Sequence, residues 1–262
     1  MLLNTLDPGP IEYEILGEER AEAPTIVMLH EGLGSLSLWK DFPQRLARAT
    51  HNRVVAYSRH GYGRSAALDA PRTMDYMHGE ALTVLPRLLD ALQIERPILF
   101  GHSDGASIAL IHAGASGREV AGVVALAPHI MVEDISIQGI AAAKIAYQTG
   151  GLRQRLKRHH SDVDGAFWGW NDIWLDPAFR AWNIEEYLPK ITCPVLAIQG
   201  EQDEYGTMAQ IDCIARAVPR VELLKLAACG HSPQRDRPEE VLQAVASWAA
   251  RAAAADLHIE GQ

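Results

Sequence analysis

The sequence is poor in cysteine, in basic residues and in long apolar runs. Its three cysteines, Cys193, Cys213 and Cys229, lie in a chain of 262 residues. They are too few and too scattered for a disulfide framework, and they lack the spacing of a zinc site. Lys and Arg number 24 against 33 Asp and Glu, a formal net charge of −9. That balance argues against nucleic acid as the main partner, because phosphate binding draws on clustered positive charge. No apolar run approaches the ~18–20 residues needed to span a bilayer. The opening stretch, MLLNTLDPGPIEYEI, has neither the basic n-region nor the apolar h-region of a secretory signal. A cytoplasmic protein with no membrane association is expected.

What the chain does contain is an alternation. Short apolar, β-branched runs at 25–30, 53–57, 97–100, 120–126, 194–199 and 221–226 read as strands buried on both faces. Helical patterns lie between them, near 38–49, 73–92, 104–116, 207–217 and 237–255. Strands alternating with helices predict an α/β fold with a mostly parallel, doubly wound sheet. Residues 11–16 are expected to add an antiparallel edge strand. The alternation fails between Pro128 and Pro189, where no strand pattern occurs. We read 1–129 with 189–262 as the core and 130–188 as a helical insertion, a lid over the sheet. That insertion holds eight of the 17 aromatics: Tyr147, Phe167, Trp168, Trp170, Trp174, Phe179, Trp182 and Tyr187. Some of these rings dock the lid and others wall an apolar pocket; Trp168, Trp170 and Trp174 are the candidates for substrate contact.

Gly101-His-Ser103-Asp-Gly105 matches G-x-S-x-G and sits directly between an apolar strand and a helical run. Chemistry at a serine needs this strand–turn–helix setting. The tight turn lifts the hydroxyl above the sheet, and the glycines on either side remove clashing side chains. The following helix aims its first N–H groups at the place where an oxyanion forms. A serine hydroxyl also needs a base, and the base needs an acid. In strand-ordered sites of this kind the acid precedes the histidine. Asp203 follows the run 194–199, and His231 follows 221–226, so both stand at the same sheet edge as Ser103. Glu201 and Glu204 are rivals to Asp203. The turn His30-Glu-Gly-Leu-Gly-Ser35 offers a second oxyanion N–H at Gly32, beside that of Asp104. His30 itself, at a strand end, is expected to be structural. The turn Arg59-His-Gly-Tyr-Gly-Arg-Ser65 lacks both G-x-G-x-x-G spacing and a Walker lysine, so no nucleotide site is expected.

Together these segments resemble the α/β-hydrolase superfamily across nearly the whole chain, with Gly61-Tyr-Gly-Arg-Ser65 similar to its G-x-G-x-S turn. The resemblance implies Ser103, Asp203 and His231 as a triad, and Gly32 and Asp104 as main-chain oxyanion donors. Nothing in the sequence calls for a cofactor or a metal. Within the superfamily, the S-D-G elbow, the Leu33-Gly-Ser35 turn and the tryptophan-rich insertion are most similar to the valacyclovir hydrolase (biphenyl-hydrolase-like) group. That likeness implies α-amino-acid esters as substrates, with the Asp104 carboxylate near the ammonium and Leu33 in the pocket. The acid loop Asp203-Glu-Tyr-Gly206 and the turn His30-Glu-Gly32 depart from common family wording.

Asp104 has a second reading: an acid in the first turn of a helix offsets the unpaired N–H groups there. Glu31 either adds negative charge to the site or faces solvent. The basic stretch 153–160 is expected to be a solvated lid face, with an arginine gripping a substrate carboxylate as the alternative. The expected function is hydrolysis of a small-molecule carboxylic ester by a serine hydrolase. The alternatives are carbon–carbon hydrolysis of ring-cleavage products and a non-catalytic small-ligand receptor on the same fold.

Overall fold

The apolar runs form strands in the computed structural model, which describes residues 1–4, 6–20 and 23–257 (side chains to 252). In chain order the strands are β1 (Leu2–Leu3), β2 (Ile11–Leu16), β3 (Ile26–Leu29), β4 (Val54–Tyr57), β5 (Ile98–His102), β6 (Gly122–Leu126), β7 (Val195–Gly200) and β8 (Val221–Leu226). They build one sheet in the order β1-β2-β4-β3-β5-β6-β7-β8. Strands β4, β3 and β5 to β8 are parallel, and β2 runs antiparallel to β4.

The strands read as unbroken apolar runs because both pleat faces are covered. Val27, Leu29, Val55, Tyr57, Leu99, Val123 and Ala125 belong to one buried cluster. Their neighbours Ile26, Met28, Val54, Ala56, Ile98, Phe100 and Val124 belong to the other. Helices α1 (Phe42–Thr50) and α10 (Pro238–Leu257) cover the second face, through Leu46, Val245 and Trp248. The first face takes α2 (Tyr76–Gly79), which passes through a π turn at Glu80–Val84 into α3 (Leu85–Ala91), and α4 (Asp104–Ala115). Helix α4 is buried from Asp104 to His112, so it lacks the polar stripe of a surface helix. Between β6 and β7 come α5 (Asp134–Thr149), α6 (Leu152–Leu156), α7 (Val163–Leu175) and two 3-10 turns, Pro177–Ala181 and Glu185–Lys190. Helix α8 (Ala209–Ala217) links β7 to β8, and α9 (Pro233–Asp236) precedes α10. No helix among the described residues is long and apolar enough to cross a membrane.

Two expectations change. Strand β2 is antiparallel as expected, but β1 pairs along its outer side, so β2 is not the edge. Strand β8 was expected to be buried on both faces, yet residues 222, 223 and 225 are exposed. It is the last strand in the sheet order, with no neighbour on its outer side among the described residues; an apolar run alone does not separate an edge strand from a central one.

Glycines at two positions allow the elbow to close. A Cβ on Gly101 would stand 2.3 Å from the Gly105 carbonyl oxygen, and one on Gly105 would stand 2.1 Å from that of Leu29. Both obstacles are backbone and cannot rotate away. Gly101→Ala and Gly105→Ala should therefore each lower stability by about 3 kcal/mol or more in urea unfolding. Gly79→Ala meets nothing within 4 Å and should be neutral or stabilising by up to ~1 kcal/mol. Equal effects at the three positions would contradict this packing.

Candidate active site

The chain reverses sharply at Ser103, between β5 and α4. Ser103 has φ 53° and ψ −119°, a conformation that costs a non-glycine residue about 1–3 kcal/mol and persists only where its surroundings enforce it. Its N–H donates to the Leu126 carbonyl at 2.9 Å, which ties the turn to the end of β6. The hydroxyl lies 2.9 Å from Nε2 of His231. On the other side of that ring, Nδ1 lies 2.8 and 2.9 Å from the two carboxylate oxygens of Asp203. With the proton on Nδ1 donated to Asp203, Nε2 is left to accept the Ser103 proton.

Asp203 is itself fixed. Its oxygens accept from the Tyr205 N–H at 2.8 Å, the Gly206 N–H at 3.2 Å and the Gln199 amide at 2.8 Å. Burial pushes its carboxyl up, but the hydrogen bond and charge of His231 and the Tyr205 N–H outweigh that and hold it below the usual range. The rivals are elsewhere: Glu204 accepts from the main-chain N–H of His231 at 3.1 Å, and Glu201 is exposed.

A cavity of ≈250 Å³ opens above Ser103. Gly32, Leu33, Asp104, Trp170 and Trp174 all line it. The Trp170 ring lies flush on Gly32, where a Cβ would stand 2.1 Å from Nε1. Trp168 does not line the cavity. Its ring packs edge-on against Tyr147 and Phe167 with the Lys144 ammonium over it, so its role is docking within the insertion.

Asp104 also departs from its substrate-contact expectation. The residue lines the cavity, but its side chain is 1% exposed and lies 3.7 Å from the Arg59 guanidinium. The Tyr76 hydroxyl donates to it at 2.7 Å and accepts in turn from the Trp174 indole at 3.1 Å. The carboxylate thus has a protein cation as its partner. Arg59 also donates to the Glu31 carbonyl at 3.0 Å, so one buried guanidinium spans the Gly32 turn and the Ser103 elbow. His30 uses both ring nitrogens structurally, on the Glu31 carbonyl and the Arg59 N–H.

Several residues around the site carried no sequence signal. His102 Nε2 donates to the His231 carbonyl at 2.6 Å, and its Nδ1 lies 3.4 Å from Glu31. His129 lies beside both Trp174 and His231; burial and the His231 charge push its imidazole down to about 3, so it is neutral. In the basic stretch 153–160, Arg153 pairs with Asp164 on the surface. His160 is instead buried, accepting from the Gly63 N–H and bonding the Leu33 carbonyl, both at 3.1 Å. No residue in that stretch lies where it could signal this partner locally.

Glu31 yields a pH test. Burial pushes its carboxyl up, but the hydrogen bond and charge of His102 outweigh that and hold it at about 2, against an ordinary 4.5. A folded value below the unfolded one means ionised Glu31 stabilises the native state fully above about pH 4.5, and less as pH falls toward 2. Glu31→Gln should lower stability near neutral pH, and its deficit against wild type should shrink when urea unfolding is repeated near pH 3. A deficit that does not change with pH would rule out this pairing as its source.

The sequence model of the alpha/beta hydrolase family matches residues 26–244. Mouse sn-1-specific diacylglycerol lipase ABHD11 is 22% identical, over 94% of this chain and 87% of its own. The provisionally named carbamate hydrolase RutD of Agrobacterium fabrum is 27% identical, over 87% of this chain and 94% of its own. Among solved structures, a carboxylesterase of the thaumarchaeon Nitrososphaera gargenis superposes with a TM-score of 0.77 at 20% identity, covering 96% of this chain and 98% of that one.

Proposed function

The chain belongs to the alpha/beta hydrolase family, and on that premise we propose that it is a serine hydrolase that cleaves carboxylic esters of small to medium acyl groups through an acyl-enzyme on Ser103. The observation that carries this reading is the unbroken array from the Ser103 hydroxyl through His231 to the Asp203 carboxylate. Ser103 Oγ attacks the ester carbonyl carbon as its proton passes to His231 Nε2. The carbonyl oxygen becomes an oxyanion, held by the main-chain N–H groups of Gly32 and Asp104. Collapse of the tetrahedral intermediate breaks the C–O bond, and the alcohol leaves with the proton from Nε2. Water repeats the cycle on the acyl-enzyme and releases the acid. Asp203 keeps the imidazole in the required tautomer and stabilises its charged form.

The cavity volume of ≈250 Å³ falls just below the range of drug-sized sites, which favours short acyl chains. Residues 130–188 act as the lid: Trp170 and Trp174 form part of the cavity wall from that segment. A lipase and a provisionally named carbamate hydrolase among the relatives support hydrolysis at an acyl carbon.

A fluorophosphonate probe should label Ser103, and Ser103→Ala should lower kcat on short p-nitrophenyl esters by about three orders of magnitude or more with the fold intact. Labelling at another serine, near-normal turnover by the variant, or turnover of a dienone acid in preference to every ester would each remove the proposal.

The pairing of Asp104 with Arg59 supports a structural role for this carboxylate over contact with a substrate ammonium. Asp104→Asn leaves Arg59 buried without its countercharge, which should lower stability by about 3–5 kcal/mol. It should reduce kcat/KM for an α-amino ester and for its uncharged analogue by the same factor. A selective loss on the amino ester would restore the carboxylate as a substrate contact.

A further inference from the structure

One wall of the cavity above Ser103 is tied to the elbow that carries the nucleophile. Trp174 belongs to α7 and lines that cavity; Tyr76 opens α2 and does not line it. The Trp174 indole donates to the Tyr76 hydroxyl at 3.1 Å, and that hydroxyl donates to the Asp104 carboxylate at 2.7 Å. The Arg59 guanidinium lies 3.7 Å from the same carboxylate oxygen. All four side chains are buried.

This chain of bonds runs in one direction only. An indole N–H donates and never accepts, and a carboxylate accepts and never donates. The single hydroxyl proton therefore goes to Asp104, and the hydroxyl oxygen is left to receive the indole. A charged acceptor strengthens the bond it receives, and a polarised O–H makes its own oxygen a better acceptor. Burial and the Asp104 charge push the Tyr76 phenol well above its ordinary value, so the proton stays in place.

The phenol ring is positioned without its hydroxyl. It stacks on Phe179 with centroids 6.2 Å apart, and the Arg72 guanidinium lies over it at 4.9 Å. The indole packs edge-on against His129 and Phe179. Its N–H makes its one hydrogen bond among the described residues to Tyr76. Moving the indole out of the wall strands that N–H, and a buried donor without a partner carries its full desolvation penalty. An acyl chain too long for a cavity of ≈250 Å³ has to displace part of the wall, and at Trp174 it meets this penalty.

We propose that Tyr76 is a positioning residue for acyl selectivity: its hydroxyl holds the Trp174 indole as a fixed wall, so the site takes short acyl chains and rejects long ones. This deepens the esterase reading and rests on it.

The test compares kcat/KM on p-nitrophenyl acetate and p-nitrophenyl octanoate for wild type, Tyr76→Phe, Trp174→Phe and the double variant. Circular dichroism checks that each is folded, and a fluorophosphonate probe follows the reactivity of Ser103. Wild type should prefer the acetate. Tyr76→Phe keeps the ring and removes the acceptor, so the indole N–H is already stranded before a long chain arrives. It should raise the octanoate-to-acetate ratio about tenfold, the worth of one buried hydrogen bond. Trp174→Phe, which shrinks the wall and has no N–H to strand, should raise the ratio as well. Adding Tyr76→Phe to it should then change the ratio by less than about twofold, the non-additivity expected of two groups that act through each other. A Tyr76→Phe variant that scales both esters by one factor overturns the proposal, because a loss of general stability would do the same. So does a ratio shift of equal size in the Trp174→Phe background, or a wild type that prefers the octanoate. If Tyr76→Phe does not fold, an unchanged ratio in Trp174→Phe overturns it. A wild type that turns over no ester, or a Ser103 that stays unlabelled, removes the esterase reading and this one with it; a uniform effect in a working esterase removes this one alone.

Discussion

The backbone of the Ser103 turn lies in direct contact with the backbone of the strand beside it, and the rest of the site depends on that contact. Gly105 rests on the Leu29 carbonyl, and Gly101 closes against Gly105 and Ala106. Leu29 ends β3 and leads straight into the turn that carries Gly32. Pressing α4 onto β3 therefore brings the two main-chain segments proposed for the oxyanion hole to one place. A similar contact registers the other half of the site. A Cβ on Gly200, at the end of β7, would stand 2.3 Å from the Cys229 carbonyl oxygen, so the Asp203 loop and the His231 turn meet at backbone distance. Geometry held by backbone contacts resists relaxation better than geometry held by side chains alone.

Electrostatics completes what packing begins. Arg59 is fully buried and Asp104 nearly so. A pair removed from water contributes little net stability by itself. Its value lies in what it fixes. The guanidinium donates to the Glu31 carbonyl on one side and faces Asp104 on the other, so it sets the spacing of two loops that share no main-chain hydrogen bond in the structure's turn and loop contacts. On the opposite side of Ser103, His102 bonds the His231 carbonyl and faces Glu31. The Gly32 turn is thus braced from both flanks, by Arg59 and by the Glu31–His102 pair. Preorganised donors are worth more when they need not move as charge develops.

The legible part of this molecule is the part written in short spacings. Apolar runs fixed the strands because a sheet covered on both faces leaves no polar alternation to interrupt them. Gly101-His-Ser103-Asp-Gly105 is a local motif whose residues meet in one turn, and Asp203 and His231 follow strands whose ends share an edge. What escaped notice is decided by distant partners. Tyr76 reaches Asp104 across 28 positions, His102 lies 71 from Glu31, and His160 lies 127 from Leu33. Nothing beside Asp104 in the sequence names Arg59 as its countercharge. Trp168 and Trp170 look alike in sequence, yet two residues along a helix rotate a side chain by more than half a turn, so one faces the cavity and the other the insertion's own packing. The exposure of β8 was hidden for a related reason, since strand order is a property of the assembled sheet.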